Sequence, residues 1–142
     1  MFEKTVVVVL NYNGEKCLSK TLRSLKELSY QNKEVVVIDN ASTDQSFEQA
    51  QEEFPEYTYR RNEKNGGFAY GMNTGIRYAL EQKAQYVWLF NYDALTEKET
   101  LTRLVEISKK NEDRILLSPL IEDEKKNIWF AGGSIEFLRM RV

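Results

Sequence analysis

Thr5-Val6-Val7-Val8-Val9-Leu10-Asn11 is the stretch that decides the fold. It is β-branched and almost continuously apolar, with no alternation of polar and apolar positions. A strand with one wet face alternates, so this one reads as covered on both faces, the situation of a parallel sheet between helices. The residues that follow fit that setting. Leu18, Leu22 and Leu25 recur at helical spacing. Glu34 to Asp39 is a second strand of the same kind, and Ser42-Thr43-Asp44-Gln45 has the S-x-x-Q form of a capping box opening a helix. A weaker strand is expected over Tyr57 to Arg61, and Met72, Ile76, Ala79 and Leu80 mark a helical stripe.

Tyr86 to Phe90 then reads as a buried strand, with Tyr86, Trp88 and Phe90 in the core. Thr96-Glu97-Lys98-Glu99 reads as a second capping box, with Thr96 as N-cap, ahead of Leu101, Leu104 and Val105. Ile115 to Leu120 reads as one more strand. Strands taking turns with helices predict an α/β domain with a mainly parallel sheet flanked by helices.

The 142 residues suffice for one domain that buries roughly 70% of the surface its unfolded chain exposes. Acidic and basic residues nearly balance, 22 against 20, so the chain lacks the basic field that binding a phosphate backbone requires, which argues against nucleic acid as a partner. Apolar runs such as Val6 to Leu10 fall far short of the ~18 residues of a membrane span, and Met1-Phe2-Glu3-Lys4 does not open a signal peptide. A lone Cys17 excludes an internal disulfide and fits a reducing, cytoplasmic compartment.

In an open parallel sheet, ligands bind beyond the carboxyl ends of the strands. That rule selects Asn11-Tyr12-Asn13-Gly14, Asp39-Asn40-Ala41-Ser42 and Asn91-Tyr92-Asp93, and all three are polar. Any one of them alone reads as well as a plain turn, because Asn, Asp and Gly bond their own backbone or accept positive φ. Asp39 by itself fits a brace of the Asn40 to Asp44 turn as readily as a site. Asp93 is harder to dismiss, since it lies three residues before the expected N-cap Thr96. Three such loops at one sheet edge favour a site.

The chain contains no His, which excludes Ser-His-Asp and Cys-His chemistry and the usual His-rich zinc sites. Asn11 to Lys16 does not supply the dinucleotide fingerprint, and no phosphate-binding loop ending G-K-[S/T] is present. Oxygen chemistry remains. An exposed carboxylate with an amide nearby suits a hard cation such as Mg²⁺ or Mn²⁺, which takes one or two protein carboxylates and completes its shell with water and phosphate.

Thr5 to Asn13, Val35 to Asp44, Asn65-Gly66-Gly67 with Phe68 to Gly75, and Trp88 to Asp93, in that order, resemble a family 2 glycosyltransferase, closest to its rhamnosyltransferase-like branch. The resemblance runs from about residue 5 to about residue 95. It implies a GT-A fold, a nucleotide-diphosphate-sugar donor (UDP- or dTDP-linked), a glycan or lipid-linked acceptor, and a divalent metal, Mg²⁺ or Mn²⁺. Residues 1–142 would then form a single nucleotide-sugar-binding domain without the acceptor-binding half and the catalytic base, either as a truncated piece of a longer enzyme or as a natural short form. A longer form would leave room for peripheral membrane association.

Carried over by position, Asn11, Tyr12 and Asn13 line the nucleotide pocket, Asp39 contacts the base or ribose, and Asn40 to Ser42 complete that wall. Asn65, Gly66, Gly67, Asn73 and Asn91 join the donor site. Asp93 is the metal ligand of an Asn91-Tyr92-Asp93 motif whose first acidic position is an amide. Gly66 and Gly67 before a helix can let N–H groups approach an anion, or can form a plain flexible turn.

The resemblance also implies inverting transfer with a carboxylate base. No residue is assigned to that role, because Glu122-Asp123-Glu124 beside Lys125-Lys126 reads more simply as a solvated loop. Two other classes fit parts of the pattern. A non-catalytic nucleotide-sugar-binding module would keep Asp39 and Asp93 without turnover. A phospho-receiver domain needs an acidic cluster after its first strand, where this chain has Asn11.

Overall fold

A computed structural model describes residues 3–111 and 116–132. The chain divides into two units, Met1–Leu101 and Thr102–Val142. The first holds a four-stranded sheet built from β1 (Thr5–Asn11), β2 (Lys33–Asp39), β3 (Thr58–Arg61) and β4 (Tyr86–Asn91). Helices α1 (Leu18–Lys26), α2 (Ser46–Glu53) and α3 (Phe68–Glu81) connect them, and α4 (Thr100–Lys110) follows β4. The strand order is β3-β2-β1-β4 and every pairing is parallel.

The central place of β1 explains its composition. It pairs with β2 along its whole length, from Thr5 opposite Lys33 to Asn11 opposite Asp39, and with β4 on its other side. All seven of its residues are buried. Val6, Val8 and Leu10 pack with Val36, Ile38, Met72, Tyr78 and Ala79 in one cluster, while Val7 and Val9 alternate to the opposite face and are equally buried. Each such valine contributes about 1.5–3 kcal/mol, so the sheet's middle outweighs any single loop interaction.

Helix α3 lies close on β1 because of its glycines. The buried side of α3 is Gly71, Met72, Gly75, Tyr78 and Ala79, whereas Ile76 is half-buried and Leu80 is 65% exposed. The expected stripe was therefore displaced, since apolar periodicity cannot register residues whose contribution is the absence of a side chain. A methyl group on Gly75 would overlap the Val8 side chain. Alanine has the better helix propensity by about 1 kcal/mol, but overpacking typically costs 1–3 kcal/mol. Gly75→Ala is expected to lower stability by roughly 1–2 kcal/mol in urea unfolding; an increase would show that α3 can shift away from the sheet.

Three further expectations are corrected. Strand β4 is present, but only Phe90 is buried; Tyr86 and Trp88 are half-buried and Leu89 is 44% exposed. Among the described residues β4 has a single sheet neighbour, so its apolar run sits at an edge. Neither capping box forms. Helix α2 starts at Ser46, where the Asp44 carboxylate accepts the Ser46 N–H at 3.1 Å, and the Ser42 hydroxyl is committed to Asp39. Helix α4 starts at Thr100; the Thr96 hydroxyl donates to the Glu97 carbonyl and Glu99 accepts from Ser29. Residues 116–120 carry no strand, and Ile115 lies outside the described residues.

The second unit contains a short antiparallel pair, β5 (Ile121–Glu122) and β6 (Ile128–Phe130). Its turn is organised by Asp123, whose carboxylate accepts from Lys125 N, Asn127 N and Asn127 Nδ2. Glu122 pairs with Lys126 at 3.2 Å. Glu122 and Asp123 thus serve their own exposed turn. Among the described residues no helix is long and apolar enough to cross a membrane.

Candidate functional site

Register alone brings the three polar loops together. Asn11 and Asp39 end neighbouring strands side by side, Arg61 stands opposite Asp39 on β3, and Asn91 stands opposite Leu10 on β4. The Asn40 N–H donates to the Asn11 carbonyl at 2.9 Å and the Asn62 N–H to the Asp39 carbonyl at 2.8 Å, so pairing runs on past the strand ends.

Asp39 is the hub. Its side chain is fully buried, and its two oxygens accept four hydrogen bonds: Asn11 Nδ2 at 2.9 Å, Ser42 Oγ at 2.5 Å, Ser42 N at 3.1 Å and Arg61 Nε at 2.7 Å. A carboxylate offers about four acceptor positions, and all are taken. The brace of the Asn40 to Asp44 turn is present, and Asp39 as it stands offers a ligand no free oxygen.

The first two loops are laced to each other. Ser42 Oγ accepts the Asn13 N–H at 2.9 Å, Asn13 Oδ1 accepts the Thr43 N–H at 2.8 Å, and Asp44 Oδ2 accepts the Glu15 N–H at 3.0 Å. Burial pushes the Asp44 carboxyl up, but hydrogen bonds from the Ser46 hydroxyl and the Glu15 and Ser46 N–H groups outweigh it and hold the group below its ordinary value. Asn13 and Ala41 both adopt positive φ, 53° and 60°. Asn tolerates that region; Ala does not favour it, and such strain persists only where the surroundings over-determine the backbone.

A second lattice reaches the glycine loop. Asn40 Nδ2 donates to Asn65 Oδ1 at 2.7 Å and to the Gly67 carbonyl at 3.1 Å, and Asn40 Oδ1 accepts from Asn62 Nδ2 at 3.1 Å. Gly67, at φ 84°, precedes α3 and leaves its first-turn N–H groups at the same end of the sheet. Tyr12, Asn13, Asn65, Gly66, Gly67 and Asn91 are exposed around the two laced regions. Asn73 is exposed on α3, and among the described residues no hydrogen bond ties it to the loops.

Asp93 is exposed, and among the described residues no hydrogen bond or ion pair engages its carboxylate. Nor, among those residues, does any group of three or more Cys, Asp or Glu side chains gather as a ligand set. One hard, unpaired carboxylate beside the Asn91 amide fits Mg²⁺ or Mn²⁺ that draws most of its shell from phosphate and water, and does not fit a cation caged by protein.

Arg61 was not anticipated. Besides Asp39 it pairs with Glu48 at 2.8 Å, and its guanidinium lies 4.5 Å from the Phe47 ring centre. The hydrogen bond to Asp39 is the main reason its basicity is raised. The available signal was its position at the carboxyl end of the strand neighbouring Asp39.

Comparison with known proteins identifies the family and the fold. The profile described as Glycosyl transferase family 2 matches residues 6–139. The dTDP-rhamnosyl transferase RfbF of Shigella flexneri is 30% identical over 130 residues, 91% of this chain and 42% of that protein. Among solved structures, S. aureus TarS 1-349 in complex with UDP-GlcNAc superposes with a TM-score of 0.69 at 29% identity over 77% of this chain and 32% of that one. A mannosyltransferase from Pyrobaculum calidifontis, in complex with GDP-Man and Mn²⁺, gives 0.67 at 27% identity over 76% and 33%. The chain thus spans about a third to two fifths of the length of these proteins.

Proposed function

The chain belongs to the family 2 glycosyltransferases, and from that membership we propose that it provides the nucleotide-sugar-binding domain of an enzyme acting on a UDP- or dTDP-sugar. The sugar would pass to a glycan or lipid-linked acceptor, with a divalent cation at the leaving group and inversion at the anomeric carbon. The observation that supports this best is the convergence at one sheet edge of two laced polar loops and a third whose carboxylate, Asp93, has no partner among the described residues.

In this reading the nucleoside lies against Tyr12, Asn13 and the Asn40–Ser42 wall. Asp39 acts by holding Asn11, Ser42 and Arg61 in place, since its own oxygens are occupied. The first-turn N–H groups of α3, presented behind Asn65-Gly66-Gly67, face the diphosphate, where a helix N-terminus favours negative charge. Asn73 and Asn91 border the sugar. Asp93 holds Mg²⁺ or Mn²⁺, which when bound stabilises, as a Lewis acid, the charge growing on the leaving phosphate.

Calorimetric titration of the chain with UDP, dTDP and GDP, each with Mn²⁺ and with chelator, tests the reading. Binding of at least one nucleoside diphosphate, tightened by the metal, is expected. Failure of all three to bind would remove the donor-site assignment while leaving the family membership intact.

A further inference from the structure

The turn that carries Asp93 is fastened from beneath by one helix. Thr21 of α1 is fully buried, and its hydroxyl donates to the Tyr92 carbonyl, 71 residues away in sequence, at 2.6 Å. One turn further along α1, Ser24 Oγ accepts the Thr96 N–H at 3.4 Å and donates to the Thr21 carbonyl at 2.8 Å. Gly14, whose carbonyl accepts from Leu18 N at the start of α1, makes room for the Tyr92 ring: a Cβ there would stand 2.9 Å from Tyr92 Cδ2.

A helical threonine commonly returns its hydroxyl to a carbonyl of its own helix. Thr21 instead commits it to a distant turn. The resulting arrangement is asymmetric, with the backbone beside Asp93 pinned and the Asp93 carboxylate exposed and unengaged. A ligand whose base is already fixed loses less freedom on closing around a cation, and its direction is set before the cation arrives.

We propose that Thr21 is a positioning residue for the cation of the donor site, setting the direction of Asp93 through the Tyr92 carbonyl. The proposal rests on the reading of Asp93 as the cation's ligand. Partners that orient a metal ligand typically contribute about 10–100-fold to metal affinity, although they never touch the metal.

The test uses Thr21→Val, which keeps the shape and removes the donor, together with Thr21→Ala and Thr21→Ser, which differ from each other by one oxygen. Each is titrated with UDP, dTDP and GDP in Mn²⁺ and in chelator, beside the parent and Asp93→Asn. The Val and Ala variants are expected to lose about 10-fold of the Mn²⁺-dependent gain, the Ser variant to keep it, and all three to bind nucleotide in chelator as the parent does. If Thr21→Val does not fold, the Ala and Ser pair decides. Retention of the full gain by Val or Ala, while Asp93→Asn abolishes it, overturns the role of Thr21 alone. So does equal weakening with and without Mn²⁺, the pattern of a purely structural residue. A parent without any Mn²⁺ gain, or an Asp93→Asn variant that keeps it, overturns the cation assignment and the proposal with it.

Discussion

Asp39→Ala should be among the most destabilising single substitutions in this chain, costing about 3 kcal/mol, the lower end of the range for removing one partner of a buried ion pair. The lower end applies because the Arg61 side chain is 41% exposed and water can take over its charge. The remaining cost comes from Asn11 Nδ2, the Ser42 hydroxyl and the Ser42 N–H, each of which loses an acceptor at a buried or half-buried position. At this size the loss corresponds to a melting temperature lower by roughly 6–12 °C. A double-mutant cycle with Arg61→Ala should give a smaller loss for Arg61 alone and clear non-additivity for the pair. A melting curve for Asp39→Ala that coincides with the parent's would show that the hub contributes nothing and that the loops stand without it.

Asp93→Asn should spare stability and act on the metal instead. The substitution keeps the shape and removes the charge, so the Mn²⁺-dependent gain in nucleotide affinity, about 1–3 kcal/mol on the usual scale of coupling between two ligands, is expected to vanish. Binding in chelator should survive. Melting temperature should hold or rise, because among the described residues no donor loses a partner. Melting and titration, each with Mn²⁺ and with chelator, read the two effects separately. A variant that melts early yet keeps the full metal effect would make Asp93 a turn residue.

The two aspartates show what a sequence discloses about a site and what it conceals. Both were visible as carboxylates following apolar strands, and the three loops were visible as one edge because parallel strands put their carboxyl ends together. Their opposite environments were not. Asp39 acquires its burial from Arg61, 22 residues on, and from Asn11, 28 residues back, and no local pattern encodes either distance. Competing partners explain the failed capping boxes: Ser42 bonds Asp39, three residues back, and the distant Asn11, while Asp44 takes over the start of α2, and Glu99 accepts from Ser29, 70 residues back. The strands β1 and β2 were legible because burial on both faces demands apolar residues throughout. The same reasoning overstated β4, where an equally apolar run has a single sheet neighbour among the described residues.

The all-parallel register of the main sheet also fixes an order of events in time. No pair of its strands can close as a hairpin, so each pairing must wait for a whole crossover helix to emerge. Strands β1, β2 and β3 are complete once residue 61 has been synthesised, and they can pair one after another as a growing half-sheet. The other flank of β1 stays open on the nascent chain until Tyr86–Asn91 emerges, and for that interval an almost continuously apolar strand lacks its second neighbour. Topologies of this kind fold slowly and expose aggregation-prone edges while they do so. The run of four valines that is wholly buried in the finished sheet is therefore also the segment in greatest need of protection during its birth.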